Sequence, residues 1–188
     1  MRKFKSIILA IAVVFAIATS AAVAAPAANG DDQGLNRQQI MKKVRKELVT
    51  LPYYGVFDNL AYQVEGSTVT LSGQVVHPST RHDAAERVAR IEGVARVVNQ
   101  IEVLPLSPSD DSIRISAYRT IFRAGGLYRY ALGANPSIHI VVNHGHVTLE
   151  GVVSNEGDRR LAYITASGLP GVFSVTNNIR TERENRRY

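Results

Sequence analysis

Apolar and polar positions along this chain follow two periods, and the same succession of periods occurs twice. Ile40, Val44 and Leu48 recur every four residues, the stripe of a helix, with Asn36 as its predicted N-cap and Pro52 past its end. Residues 60–64 alternate as a strand, Glu65-Gly66-Ser67 turns, and 68–76 returns, which predicts a hairpin. A second helix opens at Pro78-Ser79, carries Ala84, Ala85, Val88 and Ile91 on one face, and stops at Gly93. Residues 94–103 read as a third strand, and 104–109 as a short stiff linker. The order then restarts. A helix over 111–124 has Ile113, Ala117 and Ile121 where the first has Ile40, Val44 and Leu48. Ile138, Ile140 and Val142 alternate, Asn143-His144-Gly145 turns, 146–154 returns, a helix covers 156–167, and 172–180 is the last strand.

The repetition extends to residue identity. Val69-Thr70-Leu71-Ser72-Gly73 and Val147-Thr148-Leu149-Glu150-Gly151 are offset by 147 − 69 = 78 residues. Carried forward without a gap, that offset gives twelve identities over positions 69–101. Average composition gives about two by chance. The pairs include Arg81/Arg159, Ala84/Ala162, Gly93/Gly171, Asn99/Asn177 and Ile101/Ile179. The first helices are offset by 113 − 40 = 73, so five residues are inserted in the second copy, within the loop 125–136. An apolar sheet face needs a second layer. The predicted class is therefore α+β: two tandem modules, each helix-strand-strand-helix-strand, with two helices packed on one face of a three-stranded sheet. A module of about 70 residues buries a marginal core, and pairing two is a remedy.

The first thirty residues change the picture of charge. Arg2, Lys3 and Lys5 precede the apolar run 7–18, and Ala22-Val23-Ala24 ends it with small residues, the pattern of an export signal cleaved after Ala24. The alternative is an uncleaved anchor, for which 7–25 is just long enough. Cleavage lowers the formal charge from +6 to +6 − 3 = +3, which weakens any case for nucleic acid. The chain has no cysteine, which excludes disulfides, thiolate metal sites, a cysteine nucleophile and lipid modification of an N-terminal cysteine. The expected domains are a signal at 1–24, a linker at 25–35, modules at 36–105 and 110–181, and a charged, frayed tail at 182–188.

Val-Thr-Leu-x-Gly on the second strand, then Gly-Val-x-x-Val-x-Asn-x-Ile into the third, resembles the BON domain, named for bacterial osmotically inducible protein Y and nodulation proteins. Both copies carry it, at 69–73 with 93–101 and at 147–151 with 171–179, and Asp111-Ser112-Ile113 matches the helix start. The resemblance implies a periplasmic or membrane-associated, non-enzymatic protein without cofactor. It implies binding of phospholipid surfaces or other envelope components, in envelope or osmotic stress. A periplasmic protein–protein adaptor or chaperone-like factor is the alternative. Pro52-Tyr53-Tyr54-Gly55-Val56-Phe57 departs from the simpler polar sequence usual there.

Candidate chemistry is sparse. Gly73 and Gly151 lack any phosphate-loop pattern around them and read as strand glycines that let a helix pack closely. His139, His144 and His146 are near one another but have no suitable fourth ligand nearby, so a solvent-exposed turn pair, His144 and His146, is expected rather than a metal site. Asn99 and Asn177 read as amides that bond backbone. The sharper signal is a difference between the copies. Ile115, Tyr118 and Phe122 form a second stripe on their helix where the first copy has Lys42, Arg45 and Val49. On the next helix, Asp83, Glu86 and Arg90 become Leu161, Ile164 and Gly168. An apolar face of this kind marks a membrane or partner surface. The predicted binding residues are Ile115, Tyr118, Phe122, Leu161 and Ile164, with Arg119 and Arg123 (and Arg114 beside them) meeting anionic headgroups. The competing reading buries this face against the first module.

Overall fold

The computed structural model describes residues 30–133 and 135–186, with side chains from 36 onward. The predicted signal and the first part of the predicted linker lie outside that range. The element order is α1 (Gly30–Val49), β1 (Asn59–Glu65), β2 (Thr68–Val75), α2 (Pro78–Ala89) and β3 (Arg96–Val103). Then come α3 (Pro108–Arg123), a short 3-10 helix (Leu127–Ala131), β4 (Ile138–Asn143), β5 (His146–Val153), α4 (Glu156–Ser167), β6 (Ser174–Thr181) and α5 (Glu182–Asn185). Each module is a three-stranded sheet, β1-β2-β3 or β4-β5-β6, antiparallel in its hairpin and parallel at its last strand. The helix pairs α1/α2 and α3/α4 cover one face of each sheet, as the period pattern predicts.

Three boundaries differ from the sequence reading. Helix α1 begins at Gly30, so Asn36 lies inside it rather than capping it; no proline stands between Pro26 and Pro52, and glycine weakens a helix without forbidding it. Helix α3 begins at Pro108 because Ser107 is its cap, its side chain accepting from the Asp110 N–H; proline is at home in a first turn. The tail begins as a helix, not a frayed end, since Thr181 and Glu184 form a reciprocal capping box.

Each module has its own core. Ile40, Val44, Leu48, Leu71, Val88 and Ile101 centre the first, and Ile113, Ala117, Ile121, Leu149, Ala162 and Ile179 the second. The repeated identities are explained locally. Asn99 Nδ2 donates to the Arg81 carbonyl and its Oδ1 accepts from the Ile101 N–H, tying β3 to α2; Asn177, Arg159 and Ile179 do the same in the second copy. Gly73 and Gly151 correct the expectation about helix packing. They adopt φ of +113° and +124°, and a Cβ there would lie 2.1 Å from the Asn59 carbonyl oxygen and 2.0 Å from that of Ser137. The neighbouring strand's backbone, not a helix, demands glycine.

The modules dock asymmetrically. On β4 and β5 the pleat puts Val141 and Val152 on the helix-free face. Val141 is only 2% exposed although it belongs to neither core. On the same face His139 lies against the Tyr54 ring, with centroids 5.4 Å apart. The segment after α1 supplies the other contacts. The Val56 carbonyl accepts from the Ile140 N–H at 2.7 Å, and the Gly55 carbonyl accepts from His139 Nδ1 at 3.2 Å. In return, Asn135 Nδ2 donates to the carbonyl of Val49. The irregular stretch 52–57, β4 and Asn135 of the inserted loop thus meet at the junction.

Candidate binding surface

Asp110 sets the start of α3. It is buried, and its two carboxylate oxygens accept the N–H groups of His144 and Gly145 at 2.9 and 2.8 Å. That brace holds the β4–β5 turn, in which His144 adopts φ of 50°. At the other end of α3, the inserted loop folds inward. Tyr130 Oη donates to Asp158 at 2.6 Å and accepts from the Ser154 N–H, and Arg129 pairs with the same carboxylate. The buried counterpart of Asp158 in the first copy is Thr80 (158 − 78), whose hydroxyl has no partner.

On this frame the predicted residues separate. Ile115, Tyr118 and Ile164 are 48%, 39% and 55% exposed, and Arg119 and Arg123 are exposed beside them. Leu161 is half-buried, packed against the second core. Phe122 is not a surface residue. It is buried in the second core, with the Tyr118 ring edge-on at 5.0 Å. Arg114 is also buried, paired with Asp111 and donating to the Val142 carbonyl at 2.7 Å. It therefore blunts the open edge of β4 and is withdrawn from any headgroup. Val56 and Phe57 of the first module pack against the second core, and the Phe57 ring lies 6.3 Å from Tyr118, edge-on. The competing reading is thus met in part: a two-residue strap covers one margin of the face and leaves the rest open.

Beside the strap lies a groove of about 560 Å³, lined by Val56, Phe57, Ile115, Tyr118, Arg119 and Pro136 among others. A second hollow of about 480 Å³ follows on, between Ile115 and Arg123. Of the ten large apolar side chains exposed among the described residues, seven lie in the second copy, so the asymmetry expected from sequence is a property of the surface. The histidines do not converge on one site. His139 sits at the module junction, where burial pushes its ring below the usual imidazole range while the Gly55 carbonyl opposes that. His144 Nδ1 faces the Asn143 side chain, and His146 Nδ1 faces Ser174 Oγ. An exposed His82, Asp83 and Glu86 group stands on α2, with Glu86 already paired to Arg90.

The class defined by this geometry is a tandem α+β protein with a helix-borne apolar face. The chain belongs to the BON domain family, whose pattern it matches over residues 36–105 and 129–183. Membership makes this a member of a non-catalytic family found in periplasmic and envelope proteins. No curated protein matches the chain. Two solved structures of CdsD, a structural protein of the type III secretion system of Chlamydia trachomatis, are similar at low identity. One, of its C-terminal domain, is 9% identical over 76% of this chain and 96% of that one, with a TM-score of 0.31. The other is 10% identical over 80% and 99%, also at 0.31; at that score neither bears on function. No helix among the described residues is long and apolar enough to cross a membrane.

Sequence reasoning singled out the α3 face but missed its strap. The departure at 52–57 was visible, yet nothing in one strand's pattern says where an irregular loop will land. The signal for docking was Val141, which breaks the alternation of β4; its counterpart in the first copy is the exposed Gln63 (141 − 78).

Proposed function

We propose that this is a non-catalytic, exported envelope protein that binds anionic phospholipid surfaces through the outer face of α3. Export rests on the pattern of the first 24 residues, and a role in envelope or osmotic stress on the family resemblance. The observation that carries the binding reading is the exposed Ile115–Tyr118 stripe flanked by Arg119 and Arg123. Aromatic and aliphatic side chains enter the interfacial layer while arginines meet headgroups. A protein partner is the second reading, favoured by the groove beside Phe57, whose lining is largely apolar.

The test is flotation of the mature chain with vesicles of phosphatidylcholine, with and without phosphatidylglycerol. Ile115→Asp with Tyr118→Asp removes two half-exposed apolar groups, about 1 kcal/mol each, and adds two charges that oppose an anionic surface at about 1 kcal/mol each. A loss of roughly a hundredfold or more is expected, at unchanged melting temperature. Phe122 is left intact because its loss would report on the core. Equal flotation of wild type and variant refutes the lipid reading; a specific envelope protein captured by the wild type alone favours the second.

A further inference from the structure

Docking of the modules creates a cleft that neither contains alone. It has a volume of about 330 Å³ and is lined by Arg45, Leu48, Tyr54 and Leu60 from the first module and by Val152 and Arg180 from the second, with Asn185 at its rim. It lies away from the α3 groove, sharing none of its lining. We propose that this cleft binds a small amphiphilic anion, a phosphate or carboxylate head on a short apolar arm, held between Arg45 and Arg180.

Four observations carry this. Neither arginine side chain makes an ion pair or a hydrogen bond among the described residues, although eight ion pairs of lysine or arginine occur elsewhere. No carboxylate among the described residues lines the cleft, so its two arginines are not neutralised by a neighbour in the lining; an anion is the partner such forks are shaped for. Module symmetry does not require them: by the repeat offsets Arg45 corresponds to Tyr118 and Arg180 to Glu102, which has the opposite charge. The walls are apolar as well as cationic. Val152 lies on the helix-free face of the second sheet, where the first copy has Gln74, and it lines the cleft together with Leu48 and Leu60 of the first module.

The remaining polar groups are compatible with an anion. The C-terminal carbonyl of α1, at Val49, which would repel one, is capped by Asn135 Nδ2 at 2.9 Å. Burial pushes the Tyr54 hydroxyl up to about 12, so it stays neutral. A ligand touching both modules favours the docked arrangement over an open one, since it binds only when the two walls are together.

The test uses the whole chain and three probes: dihexanoyl phosphatidic acid below its micelle concentration, inorganic phosphate, and phosphatidylglycerol vesicles. The readouts are the arginine Nε–Hε resonances and calorimetric affinity. The dissolved amphiphile is expected to shift Arg45 and Arg180 together, inorganic phosphate to do so at least tenfold more weakly, and Arg45→Gln with Arg180→Gln to cost at least tenfold in affinity. Arg96→Gln, at an exposed arginine that does not line the cleft, is expected to leave all of this unchanged. Shifts from vesicles as well assign the source as a membrane headgroup; shifts from the dissolved amphiphile alone assign a free solute. Unmoved arginine signals, or unchanged affinity in the double variant, overturn the site, and equal binding of inorganic phosphate removes the apolar arm.

Discussion

Replacing Asp110 with alanine tests whether one buried carboxylate fixes the helix that bears the proposed binding face. Asp110 is 1% exposed, and both oxygens accept backbone N–H groups of the β4–β5 turn. A hydrogen bond to a charged acceptor contributes about 1.5–3 kcal/mol. Two such bonds, less what water recovers by entering the site, give an expected loss of about 3–4 kcal/mol. Asp110→Asn should lose less, since its amide oxygen can still accept one N–H while its NH2 faces the other. The first copy supplies the control. Its equivalent position is Arg37 (110 − 73), exposed, and its turn runs through Gly66, which takes positive φ without a brace. Arg37→Ala should therefore change stability by less than about 0.5 kcal/mol. The measurement is urea unfolding followed by the amide resonances of Leu71 and Leu149, one in each core, which separates the modules. A loss below about 1 kcal/mol at Leu149 for Asp110→Ala would refute the bracing role.

Three further outcomes follow from buried groups and the junction. Asp158→Ala, which strands Tyr130 and Arg129, should cost the second module about 3 kcal/mol, whereas Thr80→Val should be neutral or stabilising because the buried hydroxyl it removes has no partner; equal effects in urea unfolding would contradict both assignments. His139 is held below its ordinary range chiefly by burial, so the docked state binds fewer protons than an open one. Its contribution is full above the open-state value near 6.5 and is lost as pH falls towards the lowered one. Asp58 opposes this at lower pH, raised by burial against its bonds to the Val76 and Gly55 N–H groups, and His77 and Glu150 add charge nearby. Melting temperature should fall more between pH 7.5 and 5.5 for the wild type than for His139→Asn; parallel curves would remove His139 from the effect. Residues 106–188 alone should melt cooperatively but several degrees lower, lacking Val56 and Phe57; loss of cooperativity by calorimetry would mean that the cores are shared.

The repeat made most of this fold legible. Ile40-Val44-Leu48 and Ile113-Ala117-Ile121 point to core stripes, and all six are buried. The hairpins were equally plain, because a period of two ended by Gly66 or by His144-Gly145 has few other meanings. What stayed hidden depends on three dimensions at once. Phe122 shares a helical stripe with Ile115 and Tyr118, but it sits at the end of α3, where Val56, Phe57 and the neighbouring core close over it. Arg114 looks like a surface arginine until the Val142 carbonyl, 28 residues away in sequence, is placed beside it. A helical wheel assigns direction, not cover.

The differences between the copies argue for a division of labour. The first copy keeps a polar helix-free sheet face (Gln63, Ser72, Gln74) and polar or charged outer helix positions, so its burial is confined to its core, the strap and the junction. The second adds Val141 and Val152 to a helix-free face that is otherwise largely polar. Its helix-free face, through Val141, is consumed by docking, while α3 keeps Ile115 and Tyr118 in solvent. The strap reaches α3 and stops at Phe57, beside an open groove. The first module thus adds Val56 and Phe57 to a second core that is complete in itself, at the margin of the face the second module keeps open.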